Sequence, residues 1–435
     1  MNTSPAASAP GLTARPAWLL RRLFPLLGAI GLIVLGMAGT IWGPRYYGKT
    51  AWALPDDLWG TLIAAQRLLH LNLGALYTAP TQLVSLPGSA VIGIPVVALI
   101  DVAGLPLRAP GALGAFPGTW LIIGPYQVAI SAVALFAADA IAERLGATRP
   151  KRFLLAAASA TALWSVTIRW GHPEDAVATG LLLYAILALS EARTSRSGWL
   201  AGAAVAVQPL VLLALPVLVM SLGPGRRLGL LARAAAPSVL LLAVAAIANW
   251  TATLHAVTSQ PNSPVIDHPT PWIYLAPHLA GGQVAAGPAR ILAIAVACGC
   301  GLAAGRLRQA AGADTRWTMQ MLQELLWWAA VALALRSVFE PVMVAYYLWP
   351  PLALALIVAS SRWSRLLGAA IAAIALTFLA QIGWRNPWSW WLPMITILGL
   401  TLYLARGKRV KRPLTVTPAQ VLPEPGEQFV ADGAP

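Results

Sequence analysis

The segment Pro55-Asp56-Asp57-Leu58-Trp59 carries two adjacent carboxylates in a chain with 15 acidic residues in all. A carboxylate held beside a substrate hydroxyl is a general base; the same side chain just ahead of a helix caps its free N–H groups. One can cap while the other works. Pro55-Asp56 is placed to cap a helix beginning near Leu58, which leaves Asp57 as the favoured base and Asp56 as cap or orienting partner. The second patch, Trp170-Gly171-His172-Pro173-Glu174-Asp175, packs three ionisable groups into one tight turn. A turn needs only its Gly and Pro. Capping explains one acid, and the excess suggests substrate contact; His172 with the two acids is a weak metal pattern. The third patch, Asp267-His268, lies in a loop over 251–285 with Asn262, Trp272, Tyr274 and His278. Those aromatics suit a sugar or a polyprenyl head group, and equally an interfacial belt. The fourth is Phe339-Glu340-Pro341. Arg169, Arg290, Arg336 and Arg385 stand at the corresponding ends of apolar runs, either gripping a phosphate bidentately or snorkelling to an interface.

What must position these groups is a membrane bundle. The chain has 435 residues, 58% hydrophobic and 10% charged, with a mean hydropathy of +0.70, against roughly 25% charged in soluble domains. Lipid must therefore be the solvent, and in lipid the backbone satisfies itself as helices or as closed barrels. The apolar runs approach the ~20 residues of a spanning helix and lack the alternation of barrel strands. The expected class is all-α and polytopic, with spans at 23–43, 119–142, 153–170, 174–191, 229–250, 286–306, 321–338, 341–359, 365–383 and 388–405. Two stretches are ambiguous. The segment 88–104 is short and carries Pro95 and Asp101; 198–222 is long and interrupted by Gln208-Pro209.

Charge decides between topologies. With the N-terminus inside, 88–104 on the outer surface and 198–222 either crossing twice or re-entering, 22 of the 30 basic residues face the cytoplasm. The positive-inside rule then favours 10 or 12 crossings, both termini inside, and the acid patches outside. Asp56, Asp57, Asp101, Glu174, Asp175, Asp267 and Glu340 are the seven outward acids. Residues 1–22 read as a cytoplasmic tail before an uncleaved first helix, 23–406 as one membrane domain, and 407–435 as a disordered cytoplasmic tail. The net charge of +15 is a topology signal. No basic patch with stacking aromatics is present, so no nucleic-acid partner is expected. Cys298 and Cys300 fall in an apolar run, where neither a disulfide nor a zinc site is expected. No resident cofactor or metal is called for.

The order of these features, with Leu71-Asn72-Leu73-Gly74-Ala75-Leu76-Tyr77 after the first patch, Gly171-His172-Pro173-Glu174-Asp175, and Ala201-Gly202-Ala203-Ala204-Val205-Ala206-Val207-Gln208-Pro209-Leu210, resembles the GT-C superfamily. It is most similar to actinobacterial polyprenol-phosphate-mannose-dependent mannosyltransferases, over residues 20–400 in organisation and over 55–130 and 164–222 in motif. The resemblance implies a GT-C-like fold with a surface-lying segment at 88–104, and an aspartate of the first outer loop, Asp56 or Asp57, as catalytic base. The family's tight turn maps onto Gly171–Asp175. Where the family often has Lys-Pro, this chain has Gln208-Pro209.

The expected function is transfer of a sugar, on the resemblance mannose, from a polyprenyl-phosphate donor to a lipid or glycan acceptor at the outer face of the plasma membrane. A lipid-linked donor needs no nucleotide-binding domain, and no Gly-rich phosphate loop is present. His172, Glu174, Asp175, Asp267, His268, Arg169, Arg290, Arg336 and Glu340 are the expected substrate contacts. The alternative is a secondary transporter or lipid flippase, which calls for ionisable groups at mid-membrane and related halves. A scaffold for envelope assembly is a third reading.

Overall fold

The computed structural model describes residues 20–47, 52, 56–78, 83, 85–107, 117–259, 262, 264, 267–310, 317–383 and 386–406. The chain is nearly all helical. Its elements are α1 (Leu23–Tyr47), α2 (Asp56–Leu69), α3 (Pro87–Val102), α4 (Pro117–Arg144), α5 (Arg149–Trp164), α6 (Pro173–Ser190), α7 (Thr194–Val207), α8 (Leu215–Met220), α9 (Pro224–Ala248), α10 (Trp250–Ser259), α11 (Gly287–Ala310), α12 (Met319–Phe339), α13 (Trp349–Ala359), α14 (Trp363–Leu379) and α15 (Pro387–Arg406). The two-residue strands β1 (His268–Pro269) and β2 (Val342–Met343) pair antiparallel.

Among the described residues seven helices, α1, α4, α6, α9, α11, α12 and α15, are long and apolar enough to cross a membrane. Four further apolar segments, Pro87–Val102, Pro209–Met220, Ala345–Ala359 and Trp363–Leu379, are shorter. The expected span over 153–170 is α5 continued by one π-helical turn, Ser165–Arg169. The interrupted stretch 198–222 folds as a hairpin. α7 stops at Gln208, because Pro209 lacks an N–H and disfavours helix in its predecessor, and the return arm is a 3-10 turn (Pro209–Ala214) leading into α8. α3 keeps Pro95 inside a continuous helix and packs on α2 and α7. Residues 1–19 and 407–435 of the expected tails fall outside the described residues.

Small residues let these helices close up, as they do where lipid leaves no hydrophobic drive between helices. A Cβ on Gly180 of α6 would lie 2.7 Å from Val133 Cγ1 and 2.8 Å from the Ala134 nitrogen of α4. Gly36 and Gly124 form the slot that receives the fully buried indole of Trp52. Gly180→Val should therefore destabilise the bundle by about 1–3 kcal/mol through overpacking. The melting midpoint of the detergent-solubilised protein measures this; an unchanged midpoint would mean that α4 and α6 separate at no cost.

At the end of the bundle where α4 finishes and α5 begins, an ionic cluster closes the gap between α1, α4 and α5. Arg152 holds Asp139 by two bonds, Nε to Oδ1 at 2.8 Å and Nη2 to Oδ2 at 2.5 Å, and reaches Glu143 at 3.1 Å. Arg22 meets both acids at 2.8 Å, and Arg21 meets Glu143 at 2.8 Å. α5 and its π turn span about 21 residues, or roughly 30 Å, before the chain reaches the Gly171 turn. The two ends of the bundle thus carry separate sets of ionisable groups.

Candidate active site

The turn between α5 and α6 is built by local geometry. The π-helical turn ends at Trp170, and Gly171 takes φ +66°, a left-handed conformation that costs glycine little. The backbone N–H of His172 donates back to the Val166 carbonyl at 2.8 Å, and Pro173 opens α6. Glu174 and Asp175 then fall in the first turn of α6, where free N–H groups and the helix dipole favour carboxylates. Gln381 of the segment after α14 props the turn. Its Nε2 donates to Ser165 Oγ at 2.8 Å, and its Oε1 accepts from Trp170 Nε1 at 2.9 Å.

His172 is the hub. Its Nδ1 lies 2.6 Å from Glu174 Oε1, its Nε2 faces Asp57 Oδ2 at 3.9 Å, and its ring stacks on Tyr346 with centroids 4.0 Å apart. Burial alone would disfavour the charged imidazole, but the charge and hydrogen bond of Glu174, then the charges of Asp57 and Asp175, outweigh it and lift its pKa from 6.5 to about 9. Asp267 is raised from 3.8 to about 6, by burial and by the charge of Asp57, against the opposing pull of His172. Asp175 lies beneath, 1% exposed. Its Oδ1 accepts from Gln208 Nε2 at 3.2 Å, while its Oδ2 has no hydrogen-bond partner among the described residues. Half of the Asp57 side chain is open to solvent.

The third patch reaches this cluster through β1. His268 pairs with Met343 and Pro269 with Val342. Thr270 donates its N–H to the Pro341 carbonyl at 2.9 Å and its hydroxyl to the Glu340 carbonyl at 2.5 Å. The loop carrying Asp267 is thereby tied to the segment carrying Tyr346.

The four acid patches do not contribute equally. Asp57, His172, Glu174, Asp175 and Asp267 form one electrostatically connected group. Half-buried Arg336 interacts with Asp175 and stacks its guanidinium 3.9 Å from the Tyr347 ring centroid. Glu340 is engaged with Arg290 at 2.6 Å and Arg336 at 3.6 Å. His268 turns instead onto Trp390, with centroids 4.1 Å apart. Arg169 is exposed over Trp170 and makes no ion pair with the acids among the described residues. Asp101 pairs with His70 at 3.3 Å on the α2–α3 side. Arg385 and the Asp56 side chain lie outside the described residues. α2 begins at Asp56 itself and not near Leu58, so both aspartates occupy its first turn and neither is the residue preceding the helix.

His172, Glu174 and Asp175 also offer one imidazole nitrogen and two carboxylate oxygens within 4.8 Å of one another, a donor set suited to a divalent cation. A metal at Nδ1 would have to displace the proton that Glu174 holds there. The arrangement fits a held proton better than a cation.

No family model and no curated protein matches the chain at a significant level. The site therefore has to be judged on its own geometry. Tyr346, Tyr347, Gln381 and Trp390 were not anticipated from sequence. They sit in or beside apolar runs with no charged neighbour to mark them, apart from the Glu340 patch just upstream of the two tyrosines.

The His172–Glu174 pair makes a pH prediction. The folded-state value lies above that of a free imidazole, so the pair stabilises the fold fully below about pH 6.5 and is lost as the pH rises through about 9. Thermal melting should fall over that interval. In Glu174→Gln the fall should move to lower pH, because the largest raising influence is gone. Identical melting curves for the two proteins would mean that His172 is not held protonated.

Proposed function

We propose that the chain is a membrane glycosyltransferase of inverting type, acting at the face of the bundle that carries the His172 turn. In this reading Asp57 takes the proton from an acceptor hydroxyl, and that oxygen attacks the anomeric carbon of a polyprenyl-phosphate sugar. The bond from the anomeric carbon to the phosphate oxygen breaks, and the phosphate leaves with the electron pair. Imidazolium His172, with Arg336 and Arg290 behind it, offers positive charge to the phosphate. Glu174 keeps His172 protonated and oriented, and Asp267 closes the site from the loop side. The half-open Asp57 is the carboxylate a substrate can reach.

The observation that carries the reading is the meeting of Asp57, His172–Glu174 and Asp267, three patches up to 210 residues apart in sequence. Mannose as the sugar, a lipid or glycan acceptor, and the GT-C-like fold rest on the resemblance of the motifs, and the 10–12 crossings on the positive-inside rule. An outer-face site in the plasma membrane rests on the distribution of basic residues. A transporter would want ionisable groups near the middle of its helices. The two buried ionic clusters described above sit at helix ends, which supports the transferase.

Incubating membranes with radiolabelled polyprenyl-phosphate mannose and an acceptor-lipid extract tests the activity; label transferred to lipid is the expected result. Sidedness has its own test. Single cysteines near position 265 should react with an impermeant reagent on intact cells, and a cysteine at 148 should not. The reverse pattern would sink the outer-face assignment.

A further inference from the structure

At the other end of α6, roughly 27 Å from the His172 turn for its 18 residues, the described surface holds an open groove of about 1020 Å³. Arg193 and Arg196 line it from the α6–α7 turn and the first turn of α7, and Arg226 lines it from the first turn of α9. Thr194 and Ser195 add hydroxyls, and Trp199 adds an indole that is 51% exposed. α7 and α9 run the same way, since a Cβ on Gly198 would meet Leu230 and Arg233, and one on Gly202, a turn further along, would meet Ala234 and Pro237. Both helices therefore turn their N-terminal ends, the positive ends of their dipoles, toward the same groove.

Basic residues at this end already have a topological explanation, but topology alone does not ask them to converge. Of the three arginines, Arg193 has an acidic partner, Glu191 at 3.3 Å. No acidic side chain among the described residues pairs with Arg196 or Arg226. A concave surface with two uncompensated guanidinium groups, two hydroxyls and two helix N-termini is complementary to a phosphate. The groove also lies at the ends of apolar helices, the level of a bilayer's head groups, and the half-exposed Trp199 is the kind of ring that settles at that level.

We propose that this groove binds the phosphate of an anionic phospholipid from the leaflet opposite the His172 site. Arg196 and Arg226 grip the phosphate oxygens, Arg193 and the Thr194 and Ser195 hydroxyls complete the shell, and Trp199 lies along the glycerol and upper acyl chain. The site does not depend on the transferase reading.

The purified full-length chain, reconstituted in phosphatidylcholine nanodiscs, is titrated with phosphatidylglycerol and followed by native mass spectrometry. The double variant R196Q/R226Q should bind phosphatidylglycerol about thirtyfold more weakly, roughly fivefold for each charge lost near the surface. The control R306Q/R362Q removes two exposed arginines from the same end of the bundle but outside the groove, and it should bind as the parent does. Equal weakening in both doubles would reduce the effect to diffuse surface charge and overturn the site. Glycerol phosphate or inorganic phosphate displacing the lipid at matched concentration would overturn the lipid assignment in favour of a soluble anion. W199A separates the contributions further. It should weaken phosphatidylglycerol binding while leaving the weak binding of inorganic phosphate unchanged, and loss of both together would overturn the placement of the acyl chain on the indole. Melting midpoints measured alongside establish that each variant is folded.

Discussion

Asp57→Asn should lower transfer turnover by about 10²–10⁴, the usual loss when a general base is removed, while leaving the protein folded. Its carboxylate is half exposed and faces His172 Nε2 at 3.9 Å, so the amide that replaces it fits the same space and leaves no buried charge stranded. What disappears is the ability to accept a proton. Asp56→Asn should behave differently. Asp56 opens α2, and its loss should cost about 0.3–1 kcal/mol of stability, the worth of a negative charge in the first turn of a helix, with little effect on rate. Both variants are assayed at matched expression with the radiolabelled donor. Equal and mild effects from the two would make both aspartates structural, and the transporter reading would then move ahead.

Arg152→Leu should destabilise the bundle by about 3–5 kcal/mol, the cost of stranding a buried charge. Arg152 and Asp139 are 6% and 2% exposed, and Arg152 supplies both bonds of the bidentate pair. Arg22 also reaches Asp139 at 2.8 Å and keeps the loss from running higher. Replacing both partners, Arg152→Leu with Asp139→Leu, should recover much of the stability, because a well-packed apolar pair costs little where an unpaired ion costs a great deal. Melting midpoints of the two variants in the same detergent measure the difference. If the double variant is as unstable as the single one, the cluster holds the helices by geometry and not by charge balance.

The bundle itself could be read in the sequence because its signal is redundant. Every apolar run repeats the same message over nearly twenty positions, and interruptions such as Gln208-Pro209 have a backbone cause that holds in any context. The site was readable in part. The His172 turn and Asp57 stood out because charge is rare in this chain and each acid needs a reason. What lay hidden depends on the third dimension. Tyr346 gives no sign in sequence that its ring will lie under an imidazole 174 positions earlier. Arg152 stands in sequence among the basic residues that precede an apolar run, and its burial against Asp139 depends on where α4 and α5 cross. His268 had the right neighbour in Asp267, yet nothing in the sequence announces that its ring will stack on Trp390, 122 positions later.

The helices differ sharply in what surrounds them. In α6, 83% of the apolar window is enclosed by protein, against 28% in α1, 17% in α9, 33% in α11 and 28% in α15. A bilayer thicker or thinner than the bundle prefers is accommodated by tilting, or by local deformation of lipid around exposed helices, at a fraction of a kcal/mol per ångström. Those adjustments fall on the outer ring, whose sides face lipid, and hardly on a central pillar held on nearly every side. The depth of the His172 turn is therefore set by the length of α6 and not by the host membrane. Acyl-chain length should change how the peripheral helices lean while leaving the vertical separation between the two ends of the pillar unchanged.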